Sequence, residues 1–157
     1  MKVLLIVDLQ KQFCNDARYK SCIDYINENS KNYDKLIPTV YSQRVLGDIN
    51  DQHETNVDSS TCMYCNESDL EYDTNGSAVI IRNTYGSDYV LSDISPDCEV
   101  DVIGCNDKSG VMANCLSLWD NNIKFRVLSD YIFTNNEDVP DEVLNNYMRR
   151  HFGRCVA

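Results

Sequence analysis

Apolar residues in this chain come in short uninterrupted runs separated by longer polar stretches. That is the pattern of strands covered on both faces rather than of strands with one face in water. The first run, KVLLIV, is rich in β-branched residues and stops at Asp8. Polar, helix-compatible sequence follows through SCIDYINENS. DKLIPTVYS predicts a second strand, and Pro38 inside it predicts an irregular end, because proline has no ladder donor. Gln43 to Gly76 is polar and loop-like. SAVIIRNTYG predicts a third strand ending at Arg82, and CEVDVIG a fourth. KSGVMANCLSLWDNN predicts a helix, IKFRVLSD a fifth strand, VPDEVLNNYMRRHFG a second clear helix, and RCVA a last edge strand.

Strands alternating with helices, without internal repeats, define an α/β class. The expected architecture has three layers: a mainly parallel sheet of five to six strands with helices on both faces. The 157 residues suit a single domain, 1–157, with a core of its own. Open parallel sheets bind ligands beyond the carboxyl ends of their strands. The residues expected at those ends are Asp8, Tyr41, Arg82, Gly104 to Gly110, and Asp130. These positions converge on one candidate pocket.

Composition narrows the function. Hydrophobic residues make up 43% and charged residues 25% of the chain, ordinary for a globular protein. The formal net charge of −11 repels a phosphate backbone and argues against nucleic acid as a partner. A small anionic ligand stays possible, because a pocket can be locally positive. The opening apolar run is too short for a secretory leader and no later stretch could span a bilayer. The expectation is therefore a cytoplasmic protein with no membrane partner. Abundant asparagine and ten tyrosines hint at an AT-rich genome, bacterial or viral, which would make the location the host cytoplasm in the viral case.

Eight cysteines would suggest disulfides in a secreted chain; here the reducing-compartment reading is preferred. Cys62 and Cys65 form one C-x-x-C, CMYC, but a zinc ribbon needs a second pair, and none is present.

Three segments carry a family resemblance. VDLQKQF (Val7 to Phe13) resembles the opening motif of the isochorismatase-like cysteine hydrolases, which include nicotinamidases. VIIRNTYGSDY resembles the segment bearing that family's lysine. VDVIGCNDKSGVMANCLSLWDNNIKFRVLSDY resembles its strand, cysteine-bearing turn, helix and following strand. The likeness runs from Met1 to about Val156. It implies an Asp–Lys–Cys triad at the positions of Asp8, Arg82 and Gly110, so two of the three positions depart from the pattern. The nicotinamidase branch also holds a metal through an Asp-x-His motif after the second strand. The matching stretch here, TVYSQ, contains neither residue, so no metal or other cofactor is expected.

The departures change the chemistry. Glycine cannot form a thioester, and cysteine hydrolysis needs an activated thiolate. On a helix starting near Ser109, Cys115 lies about 140° around the axis from Gly110 and roughly 7–8 Å along it, which predicts that it points into the core. Cys105 is nearer but falls in the turn that the resemblance implies is the oxyanion site. Ser109 has no histidine in any motif to activate it; His53 and His151 lie outside them. Arginine, unlike lysine, effectively cannot lose its proton. Arg82 therefore suits a permanent pair with Asp8, or a fork on a carboxylate or phosphate. Phe13, Tyr41 and Tyr85 are candidate aromatic walls for a flat ring, and Trp119 reads as packing. Backbone amides around Cys105, Asn106, Ser109 and Gly110 would face an anion at a helix start.

The sequence thus leads to a catalytically degenerate protein that binds a small amide, nicotinamide-like or nucleotide-derived ligand without hydrolysing it, and that forms a homo-oligomer. One role compatible with this is sequestration, such as a viral sponge for a nucleotide immune signal. Two rivals are an active hydrolase with a non-standard nucleophile, and a structural oligomer subunit.

Overall fold

The computed structural model describes residues 1–11, 17–41, 70–82, 92, 94–105, 110–133 and 141–157, without the side chains of Arg82, Asp141 and Leu144. Five strands form one sheet: β1 (Lys2–Val7), β2 (Lys35–Tyr41), β3 (Ile80–Arg82), β4 (Glu99–Cys105) and β5 (Lys124–Phe133). All the pairings are parallel and the order is β3-β2-β1-β4-β5. The helices are α1 (Ala17–Asn29), α2 (Met112–Asp120) and α3 (Asp141–Phe152).

The central strands explain the continuous apolar runs. Val3, Leu5, Val7, Val100 and Val102 pack in one core, together with Cys115 and Leu118 of α2 and Met148 and Phe152 of α3. Leu4, Ile6, Ile103 and Cys105 pack in the other, against Tyr19, Cys22 and Ile26 of α1. Successive side chains of a strand point to opposite faces, so the buried positions of β1 and β4 are apolar on both faces, with Asp101 the charged exception. Each fully buried Leu, Ile or Val side chain stabilises the fold by about 1.5–3 kcal/mol. In α1 the buried residues recur at helical spacing, which gives the helix one inward stripe.

Pro38 is buried inside β2, yet it does end something. Asp34 donates its backbone N–H to the Lys2 carbonyl at 2.8 Å. Alternation then turns positions 34, 36 and 38 toward β1, and proline has no N–H to give. The backbone pairing of β1 with β2 runs through Ile6↔Pro38, and pairing with β3 begins at Thr39↔Ile80.

Two expectations fail at the β5 edge. The strand does not stop at Asp130 but continues to Phe133, and Asp130 is exposed. Between the pairs Val102↔Val127 and Gly104↔Ile132, β4 advances by two residues and β5 by five, so the stretch around Asp130 bulges outward. RCVA is not an edge strand. Gly153–Cys155 is a short 3₁₀ turn, followed by a single parallel bridge, Val127↔Val156. Ala157 donates to the Val127 carbonyl and accepts from Ser129 N–H, both at 2.9 Å, so the tail covers the edge with two backbone bonds. Such cover is how sheets blunt an open edge.

None of the five described cysteines is in a disulfide. Among the described residues, no helix is long and apolar enough to cross a membrane. Cys62, Cys65 and His53 lie outside the described residues, as does the Gln43 to Gly76 stretch up to residue 69.

Candidate functional site

Strand order reverses between β1 and β4, so their carboxyl ends form the switch point at which open parallel sheets bind ligands. Asp8 follows β1 there. It is buried, with φ of 46°, a left-handed conformation that aspartate tolerates better than most residues. Its carboxylate accepts from the Thr39 hydroxyl at 2.8 Å, and its backbone N–H donates to the same oxygen at 3.2 Å. Its carbonyl accepts from Gln10 N–H at 2.9 Å, closing a tight turn.

Gln10 has no exposed surface and imitates a strand partner. Its Oε1 accepts from Tyr41 N–H at 2.8 Å and its Nε2 donates to the Tyr41 carbonyl at 3.3 Å. An amide side chain carries one acceptor and two donors, so it can satisfy a peptide group at both ends. Beyond Pro38, side chains thus replace backbone pairing and hold the two strand ends together. Sequence reasoning missed both Gln10 and Thr39. The signal for Gln10 was present: a polar side chain three residues past a buried strand, next to the apolar Leu9, has to find partners if the chain stays buried.

Gly104 closes the other side. Its φ is +125°, and a Cβ added there would sit 2.1 Å from the Val7 carbonyl oxygen. Val7 is its register partner in β1. The backbone of β4 therefore approaches the peptide leading into Asp8 more closely than any side chain permits. Gly110 is buried and enters α2 with Val111 through a widened, π-type turn. The buried Asn114 side chain donates to the Gly110 carbonyl at 2.7 Å, fixing that turn from within.

The sequence-derived residues fall out as follows. Asp8, Tyr41, Cys105 and Gly110 lie at the carboxyl edge of the sheet. Arg82 ends β3 opposite Tyr41, so its backbone is on that edge too. Phe13, Tyr85, Asn106 and Ser109 lie outside the described residues. Cys115 is fully buried in the α2 core, and burial pushes its thiol well above the ordinary range. That placement agrees with the helical-wheel argument. Cys105 is 1% exposed. His151 is exposed on α3, edge-on to Tyr147 at 4.4 Å. Trp119 packs against Phe152 at 6.0 Å, but half of its surface is exposed.

At the end of β2 the described polar groups are engaged with one another. Thr39 spends its hydroxyl on Asp8, and the backbone of Tyr41 is taken by Gln10.

Tyr72 is a further residue that the sequence did not flag. It packs in the α1-side core with Leu9 and Tyr19. Burial raises its hydroxyl pKa far above the ordinary range, and nearby Tyr19 and Asp8 add to the effect. The hydroxyl is buried and has no hydrogen-bond partner among the described residues. Next to it in sequence, Glu71 meets Lys11 at 2.9 Å, and that hydrogen bond holds the Glu71 carboxyl below its usual range. The pair ties the segment before β3 to the one after β1. Its contribution is present above the ordinary glutamate range and fades as acid protonates Glu71. Removing an unsatisfied buried hydroxyl relieves a desolvation penalty of about 1–3 kcal/mol. Tyr72→Phe should therefore raise the urea midpoint, with a gain of about 1 kcal/mol. A loss of stability would show that the hydroxyl is satisfied.

No protein-family profile matches the sequence, and no curated protein sequence does. Solved structures do match in shape. The nicotinamidase of Bacillus subtilis superposes with a TM-score of 0.72 at 11% identity, covering 99% of this chain and 98% of that one. The yeast nicotinamidase bound to the inhibitor nicotinaldehyde gives 0.68 at 14% identity, with 99% and 98% covered. An isochorismatase-like hydrolase from Alkaliphilus metalliredigens gives 0.69 at 13% identity, with 95% and 91% covered. The chain has the fold of the nicotinamidases and isochorismatase-like hydrolases over nearly its whole length.

Proposed function

We infer that the chain binds a small flat amide, nicotinamide-like or nucleotide-derived compound at the carboxyl edge of its sheet and does not hydrolyse it through a cysteine. The observation that carries this reading is the turn into α2. The sequence resemblance puts the nucleophile of cysteine hydrolases at Gly110, which has no reactive atom. The neighbouring thiols do not replace it: Cys105 and Cys115 are both buried, and burial disfavours the thiolate of Cys115. Asp8 keeps its place at the switch point and is held by Thr39. Arg82 would supply a permanent cation to that edge, suited to gripping an anionic group in a fork. A protein of this kind acts by holding its ligand, and sequestration is the role that fits.

The test begins with intact-mass analysis of anything that co-purifies, followed by calorimetry with nicotinamide and with nicotinamide nucleotides. Ammonia release from nicotinamide should stay at background, and binding should raise the melting temperature. Arg82→Ala should abolish binding of the nucleotide. Gly110→Cys alone should not create turnover, because arginine cannot take the lysine's place. Ammonia release that vanishes in Cys105→Ala would replace this reading with that of an active hydrolase.

A further inference from the structure

We propose that α3 forms the centre of a two-fold symmetric dimer, packed antiparallel against α3 of a second copy. The first observation is where the exposed apolar surface lies. Of the six large hydrophobic residues exposed among those described, four are on α2 and α3: Leu116 at 45%, Trp119 at 52%, Val143 at 55% and Tyr147 at 52%. Ring contacts run from Trp119 to Tyr147 through Phe152, which is itself buried, and the exposed His151. Trp119 meets Phe152, Phe152 meets His151 at 6.2 Å, and His151 meets Tyr147. On α3 itself Val143, Tyr147 and His151 are exposed at i, i+4 and i+8 spacing, so they share one face, and apolar surface clustered this way marks an interaction surface where scattered single residues do not.

The second observation identifies the occupant. Along the outer face of α3 charge is segregated by end: Glu142 is exposed in the first turn, and Arg149, Arg150 and His151 are exposed in the last. Arg154 follows, also exposed. Val143 and Tyr147 lie between these ends, one turn apart, with Arg150 continuing the stripe. An isologous interface brings each patch against itself, reversed by the two-fold axis. Reversal sets Glu142 of one copy at the basic last turn of the other, twice, with Val143 and Tyr147 in the middle. Antiparallel helix dipoles favour the same arrangement. A parallel pairing would set arginines against arginines. In a chain of net charge −11, this basic end is also matched to the prevailing surface of its own kind.

The experiment is light-scattering mass measurement on four samples of the full chain: wild type, Arg149→Glu/Arg150→Glu, Glu142→Lys, and a mixture of the two variants. Wild type should show twice the 18.0 kDa chain mass. Each variant alone should fall to the monomer mass, because like charges then meet at both ends of the helix pair. Mixing them should restore the doubled mass, because an all-acidic α3 then faces one whose first turn has become basic. The mutated residues are exposed, and recovery on mixing shows that both variants are folded. A monomeric wild type overturns the proposal, as does a dimer indifferent to the charge reversals, or variants that do not rescue each other. The readout is mass alone, so it stands or falls independently of ligand binding.

Discussion

Gly104→Ala should destabilise the fold severely and lower its urea unfolding midpoint. The added Cβ would lie 2.1 Å from the Val7 carbonyl oxygen and 2.8 Å from the Val7 carbonyl carbon and amide nitrogen. These are backbone atoms in the middle of a parallel pairing, and no rotamer change relieves the clash. The φ of +125° adds strain that glycine alone escapes. Overpacking and left-handed strain cost about 1–3 kcal/mol each, so together they take a large share of a typical domain's stability. The only relief is separation of β1 from β4, and Asp8 comes directly after Val7, so the site is distorted as well. Urea unfolding followed by far-UV circular dichroism measures the loss. A Gly104→Ala protein that unfolds at the wild-type midpoint would refute the close approach.

Asp101→Asn should destabilise the fold while leaving intact the ligand binding proposed at the other edge of the sheet. Asp101 sits near the start of β4, buried in an apolar run. Arg126 grips it with Nε on Oδ1 and Nη2 on Oδ2, both at 2.9 Å. The Tyr33 hydroxyl donates to Oδ2 at 2.7 Å and exchanges a further bond with the Tyr25 hydroxyl at 2.6 Å. Lys2 lies 3.7 Å from the carboxylate and 4.5 Å from the centre of the Tyr33 ring. Burial, then these hydroxyl and carboxylate bonds, raise the Tyr33 pKa beyond the reach of ordinary titration, so it remains a donor. Asparagine keeps the shape but offers one acceptor where the arginine fork needs two, and its amide N–H₂ opposes a donor. Hydrogen bonds to a charged group contribute about 1.5–3 kcal/mol, and the half-exposed Arg126 and Lys2 put the expected loss toward the lower end. Chemical denaturation should show that loss, and added salt should narrow the gap between variant and wild type. Calorimetry should show nucleotide affinity unchanged. A coupled loss of affinity would place the ligand at this network instead.

Much of the fold could be read from the sequence because its strands are covered on both faces. Within KVLLIV and CEVDVIG the buried positions are apolar on both faces apart from Asp101, and short runs of this kind suit strands with helices above and below. Asp8 was legible for the same reason: it is the first charged side chain after a buried strand, and so it marks a strand end. Pro38 was legible as a fault in the ladder, because a missing N–H is a property of the residue itself. The core position of Cys115 followed from helical geometry alone.

What the sequence could not decide depended on partners far along the chain. Thr39 and Gln10 look ordinary until β2 lies beside β1, when they become the clasp that holds Asp8 and Tyr41. Gly104 reads as a turn residue; only the register Val7↔Gly104 shows that a strand backbone presses against it. Asp101 looks misplaced in an apolar run until Arg126 and Tyr33 arrive from β5 and from the turn before β2. Asp130 seemed to end its strand because local pattern cannot anticipate a bulge, which is set by the different lengths that β4 and β5 need to reach the same edge. The tail RCVA has the propensity of a strand, yet the sheet grants it one bridge. Its preceding residues are spent on turning back from α3, and only two backbone bonds remain to be made at the β5 edge.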